Sequence, residues 1–333
     1  MLEVTTAGWL ATLGLITGLL AFDLVRAGLR PHAVGFREAV GWSIFYIAVA
    51  IAFGVAFGLI AGWDLGGQYF AGYIVEKSLS VDNLFVFLII MGAFAVPAEQ
   101  QPRALTIGIV VALVLRAIFI AVGAALLDAF SFMFLVFGLM LVVTGVQLYR
   151  HRDQDPSVQD NVLVSAARRV VPVSGGYDGG KLITRAGGRR LATPLFLVLL
   201  AIGGTDFVFA LDSIPAVFGV TQHAYIVFVT NAFALLGLRS LFFLVSGLLD
   251  RLVYLSTGLS VILGFIGVKL MLHFAHLHSH AVPEISTGLS LAVIVVILGC
   301  ATAASLVKAR ANPTLRAHAG SLREPRKETP PRE

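Results

Sequence analysis

YFAGYIVEKSLSVDNLFVFLIIMGAF, residues 69–94, is an apolar run long enough to cross a bilayer, yet it carries Glu76, Lys77, Asp82 and Asn83. About 20 predominantly apolar residues span the hydrocarbon core as a helix. Polar side chains inside such a segment are costly and face the bundle interior or a partner. The rest of the chain repeats that length with far fewer charges. Nine spans are expected, near 6–24, 39–62, 69–93, 104–127, 130–149, 193–219, 224–247, 253–275 and 285–308.

Composition agrees. The 333 residues are 58% hydrophobic and 13% charged, with a mean hydropathy of +0.90. A soluble domain carries about 25% charged residues, so the fold class is an all-α polytopic membrane protein, with the lipid bilayer as its solvent. The N-terminal run lacks a positive leading region and places its arginines after the apolar stretch, which reads as an uncleaved span rather than a signal peptide. Four segments follow: membrane spans 1–5 (1–149), a Gly-rich loop (150–192), spans 6–9 (193–308) and a polar, Pro-rich tail (309–333) expected to be disordered.

The formal charge of +5 does not indicate nucleic acid. Lys and Arg concentrate after span 1, before span 4, in 150–192, between spans 7 and 8, and after span 9. The alternate connections, DLGGQ, DAFS, TQHA and HLHSHAVPE, contain none. Positive residues stay inside, so the N-terminus is expected outside and the C-terminus in the cytoplasm of a cell membrane. Cys300 is the only cysteine, so no intrachain disulfide can form. No phosphate-binding loop, nucleophile elbow or H-E-x-x-H stretch occurs, and neither an enzyme nor a tightly bound cofactor is expected.

Internal similarity changes how residues 69–94 read. EKSLSVDN (76–83) has a counterpart in DFVFALDS (206–213): an acid, a second acid six residues on, then an amide or hydroxyl. ALVLRAIFIAVGAALLD (112–128) resembles ALLGLRSLFFLVSGLLD (234–250), and FGLMLVVTGVQLY (137–149) resembles LSVILGFIGVKLM (259–271). Three consecutive spans match three others, 3–5 against 6–8, in opposite membrane orientation. Inverted repeats of this kind build secondary transporters, with the substrate site at the midplane where they meet.

Glu76, Asp82, Asp206 and Asp212 together represent roughly 10 kcal/mol of insertion penalty, at about 2.5–3.5 kcal/mol each. Three compensations are open. Lys77, Arg116 and Arg239 can form buried salt bridges. A hard cation such as Mn²⁺, Mg²⁺ or Ca²⁺ can be held by carboxylate, Asn83 amide and Ser213 hydroxyl oxygens. Or the carboxylates can cycle protons in an antiport. Residues seven apart share a helix face, which aligns Glu76 with Asn83 and Asp206 with Ser213 and leaves Asp82 and Asp212 to the side. Pro215 and Gly203–Gly204 predict a local break in span 6 beside Asp212. Gly54, Gly58 and Gly62 read as a close helix-packing face. Asp23 reads as a mouth carboxylate or an interfacial residue. His273, His276, His278 and His280 read as a wet polar end of span 8 in preference to a metal site.

EKSLSVDNLFVF (76–87) and TDFVFALDSIPAVFGVT (205–221) resemble the two signature stretches of the TerC family of integral membrane proteins. The likeness continues through LATPLFLVLL (191–200), LLGLRSLFFLVSGLLDR (235–251) and LGFIGVKLML (263–272). It implies a multi-span inner-membrane protein related to LysE-type exporters. Such proteins are linked to manganese export, to metal supply for exported client proteins and to tellurium-compound resistance. By motif position the family's intramembrane acids are Glu76, Asp82, Asp206 and Asp212, with Asn83 and Ser213 beside them. Two positions depart from the pattern. Gly203 stands where the family commonly has Glu, and Gln147 stands where span 5 often has Lys, although span 8 keeps Lys269.

The combined expectation is export of a divalent cation, Mn²⁺ foremost, through a midplane carboxylate site, with proton antiport as the coupling to consider. Asp82 and Asp212 would be the central ligands, Glu76 and Asp206 flanking ligands or proton carriers, and Arg116 and Arg239 counter-charges. The alternatives are a membrane scaffold that supplies metal to exported proteins, and tellurium resistance without direct Mn²⁺ transport.

Overall fold

A polar backbone in hydrocarbon must satisfy its own hydrogen bonds, and these apolar runs do so as long helices. The computed structural model describes residues 4–29, 36–151, 172–178, 180–186, 189–245, 254–279 and 282–311. In chain order the described helices are α1 (Thr6–Leu29), α2 (Phe36–Ala61), α3 (Trp63–Ala93), α4 (Gln101–Ala129), α5 (Met133–Arg150), α6 (Pro194–Phe218), α7 (Ala224–Leu235), α8 (Leu238–Val245), α9 (Leu255–His278) and α10 (Thr287–Ala311). Between α5 and α6 lie strands β1 (Ile183–Ala186) and β2 (Arg189–Ala192), paired antiparallel with Arg185 opposite Arg190. Val173 bridges Ala192 on the other side of β2.

Against nine expected spans, seven described helices are long and apolar enough to cross a membrane: α1, α2, α4, α5, α6, α9 and α10. α7 and α8 add an eighth if they form one span, bent by 41°. α3, 31 residues long, is set apart by its charges rather than its length, about 46 Å at ~1.5 Å per residue. DLGGQ (64–68), expected as a connection, is the first turn and a half of α3. The whole turn out of α2 is made at Gly62, whose φ of 99° only glycine adopts readily.

The expected break in span 6 is not there. α6 runs unbroken from Pro194 to Phe218 with Pro215 inside it. Pro215 lies in the last turn, where its ring costs one hydrogen bond to Leu211 and the helix ends within a few residues. The break falls instead in span 7, at Leu236–Gly237. Gly237 has φ 78°, and a Cβ there would lie 2.7 Å from the Tyr46 side chain. The carbonyl of Ala234, deprived of its partner at residue 238, accepts a hydrogen bond from Lys77 Nζ at 3.1 Å. Segment 150–192, read as an irregular loop, contains the β1–β2 hairpin. Tyr177 beside it donates to the carbonyl of Phe94 at 2.8 Å, which docks this segment on the end of α3. α10 continues to Ala311, past the expected end of span 9 at 308; the rest of the expected tail, residues 312–333, lies outside the described residues.

α3 and α6 pack side by side in opposite directions. α3 ends at the hairpin, whereas α6 starts there. α4 packs on α6 as α7 packs on α3, while α5 packs on α9. The α5–α9 crossing is backbone-close at two points. A Cβ on Gly138 would stand 2.7 Å from the Gly267 carbonyl oxygen, and one on Gly145 would stand 2.8 Å from that of Ser260. Residues 138 and 145 correspond to 260 and 267 in the sequence alignment, so the two close points exchange when the halves are exchanged. Buried apolar residues of α3–α10 form one core, and Tyr46, Tyr69, Tyr73, Tyr225 and Phe233 lead a second, aromatic one against α2. Large apolar side chains such as Ile60, 87% exposed, face outward from the bundle, as a lipid-facing surface requires.

Candidate ion-binding site

Glu76 sits near the middle of α3 and Asp206 near the middle of α6. Both are buried, and both face one cation, the fully buried guanidinium of Arg116 from α4. Arg116 Nη1 donates to Glu76 Oε2 at 2.8 Å, and Nη2 donates to Asp206 Oδ1 at 3.2 Å. The other oxygen of Glu76 accepts from Asn231 Nδ2 on α7 at 2.8 Å. Four helices thus converge on one network. Among the described residues, three of its polar atoms have no hydrogen-bond partner: Asp206 Oδ2, Asn231 Oδ1 and Arg116 Nε. Two carboxylates against one guanidinium leave one negative charge over. Buried charge of that kind demands a proton or a further cation.

Asp212, six residues on in the same helix, belongs to a different neighbourhood. It is half-buried and accepts a hydrogen bond from Thr144 Oγ1 of α5 at 3.0 Å. Six residues turn a helix by about 600°, so Asp212 and Asp206 point some 120° apart. The face shared by Asp206 and Ser213 is buried, and Ser213 Oγ has no hydrogen-bond partner among the described residues. Asn83 is buried on α3. The backbone of Asp82 belongs to α3, while its side chain lies outside the described residues. Of the six expected ligands, the structure therefore joins Glu76 to Asp206 and gives Asp212 a separate setting. Among the described residues no three His, Cys, Asp or Glu side chains form a ready metal cluster.

The accessory residues separate in the same way. Asp23 of α1 is buried against Arg239 of α8, Oδ1 to Nη2 at 3.0 Å, and also accepts from Tyr46 at 3.2 Å. This pair ties α1 and α2 to the segment just past the Gly237 break. Lys269 is half-buried and lines a cavity of about 470 Å³ at the end of α6 far from the hairpin, with Gln68, Thr221, Gln222, His273 and Glu284. His273 sits between Glu284 (2.8 Å) and Gln222 (2.7 Å). His276 faces the carbonyl of Val282 and His278 that of Phe274. These three do not converge, and His280 lies outside the described residues. Gly203, half-buried, leaves ordinary van der Waals room toward Val111.

Two contributors were not foreseen from sequence. Asn231 is a lone amide in the apolar run AYIVFVTNAFALL, and intramembrane polarity of that kind is itself a functional signal. Thr144 gives no comparable signal, because a helical threonine commonly satisfies itself on the preceding turn.

An integral, multi-pass helical membrane protein with charged residues held inside its bundle is the class that this fold and site define. The chain belongs to the TerC family: the model of that family of integral membrane proteins matches residues 61–312. An uncharacterized membrane protein of Mycobacterium tuberculosis is 46% identical over 91% of this chain and 79% of its own length. The thylakoid membrane protein TERC of Arabidopsis thaliana is 42% identical over 78% of this chain and 66% of its own. Alx of Escherichia coli, provisionally named a membrane-bound redox modulator, is 37% identical over 77% and 83%. No solved structure matches the chain.

Proposed function

We propose that the protein exports a divalent cation, Mn²⁺ foremost, from the cytoplasm through a site built on Asp212 and Asp82. One observation carries this reading. Glu76, Asp206 and Asp23 each have an arginine within 3.2 Å, whereas Asp212 has only the Thr144 hydroxyl among the described residues. A carboxylate in a membrane-spanning helix without an internal counter-charge calls for an exchangeable one. Carboxylate and hydroxyl oxygens suit a hard divalent ion. Asp82 occupies the matching position in the other repeat, and Asn83 and Ser213 supply neutral oxygens nearby. The antiparallel run of α3 and α6 and the paired α5–α9 contacts support two inverted halves around that site.

The N-terminus is placed outside and the C-terminus in the cytoplasm of the cell membrane, with the basic hairpin on the cytoplasmic side. Proton antiport is the coupling proposed. The redox role in the name of Alx has no dithiol to rest on here, because Cys300 stands alone.

Intracellular Mn²⁺ in manganese-loaded cells tests the reading. Cells making the wild-type protein should retain less Mn²⁺ than cells making Asp82→Asn or Asp212→Asn at equal membrane abundance. Equal retention in all three excludes a carboxylate export site. Unchanged Mn²⁺ together with under-metallated exported proteins in cells lacking the gene would favour a metal-supplying scaffold instead.

A further inference from the structure

We propose that Arg116 is a resident counter-ion: its guanidinium fills a second cation seat between Glu76 and Asp206 and yields that seat to the divalent ion. The proposal deepens the transport reading and rests on it. Three features set the arrangement apart from a purely structural salt bridge. The charges do not balance, since one guanidinium faces two carboxylates, with 2.8 and 3.2 Å contacts. Lys77, the next residue to Glu76, does not supply the missing charge, because its ammonium donates to the Ala234 carbonyl. The oxygens left over, Asp206 Oδ2 and Asn231 Oδ1, are buried without partners among the described residues, on the very side chains that define the seat.

Structural ion pairs in low dielectric stay put only when every lone pair is satisfied. Here the unsatisfied atoms are all acceptors except Arg116 Nε. If the guanidinium withdraws, Glu76 and Asp206 present up to four carboxylate oxygens with the Asn231 amide oxygen close by. That is an all-oxygen set of the kind Mn²⁺, Mg²⁺ or Ca²⁺ takes. Arginine keeps its charge under all conditions, so it holds the seat between ions and prevents two bare carboxylates from facing each other. Entry of an ion then requires Arg116 to leave, which couples occupancy to movement of α4 against α3 and α6.

Thermal unfolding of the full chain in lipid nanodiscs, with and without MnCl₂, tests the seat without requiring transport. Arg116→Gln should unfold several degrees below wild type in the absence of Mn²⁺. It should then gain a Mn²⁺-induced upward shift a few degrees larger than that of wild type, since an ion that binds only the folded state stabilises it. Adding Glu76→Gln should abolish the excess shift. Should Arg116→Gln not fold, Arg116→Lys carries the test, because a point charge cannot bridge both carboxylates as a planar fork does. It should show a smaller excess that also vanishes with Glu76→Gln. A Mn²⁺ shift equal to wild type in the folded variant, or an excess that survives Glu76→Gln, overturns the proposal. Failure of the transport reading shows differently, as absent Mn²⁺ flux in wild type with these shifts intact.

Discussion

Glu76 with Asp206, and Asp212 with Thr144, are two answers to the same physical problem. Both place carboxylates in helices long enough to cross a membrane. The first is buried and closed by a guanidinium and an amide. The second is half-buried and, among the described residues, hydrogen-bonded by a single hydroxyl. Removing a partner from the first leaves uncompensated charge in low dielectric, whereas the second has no cation beside it among the described residues. The difference teaches that acids looking equivalent in sequence separate into a pair with a resident arginine and a carboxylate with no cation beside it among the described residues.

The sharpest way to break this distinction is to remove the counter-charge. Arg116→Ala should cost about 3–5 kcal/mol, the usual loss when one member of a buried ion pair is deleted. Asp212→Asn should cost under about 1 kcal/mol, since asparagine's amide oxygen can still accept from Thr144. Denaturant unfolding in nanodiscs reads both, and equal losses would dissolve the contrast. A middle effect belongs to Asn231→Leu, which strips Glu76 of its second donor. A loss of about 1.5–3 kcal/mol is expected for a hydrogen bond to a charged group. The smallest should come from Thr144→Val, about 1 kcal/mol or less in the same assay. A larger loss there would make Asp212 part of the scaffold.

The fold class was legible because apolar length needs no tertiary information: each run of 18 or more residues must be a helix in lipid. That the two acidic stretches lie on helices packed side by side was legible in their likeness, which left Asp82 and Asp212 as the expected central pair and did not single out Glu76 with Asp206. Geometry beyond that was not. Glycine and proline in span 6 suggested a break, yet Pro215 falls where the helix is about to end. The real break at Gly237 depends on Tyr46, a residue nearly two hundred positions away whose ring stands where a Cβ would be. DLGGQ looked like a loop because it is polar and glycine-rich, but Gly62 alone makes the turn. Which acid receives Arg116 and which receives Thr144 follows from helix rotation against α4 and α5, and a sequence records spacing without recording rotation.

Mn²⁺ flux through purified protein in sealed proteoliposomes tests the central claim most directly, with Asp212→Asn as the paired sample. Wild-type vesicles should move Mn²⁺ down an imposed gradient, and Asp212→Asn vesicles, equally folded, should fall to the rate of protein-free vesicles. Flux in the variant matching wild type would contradict the assignment of Asp212 as the exchangeable cation site.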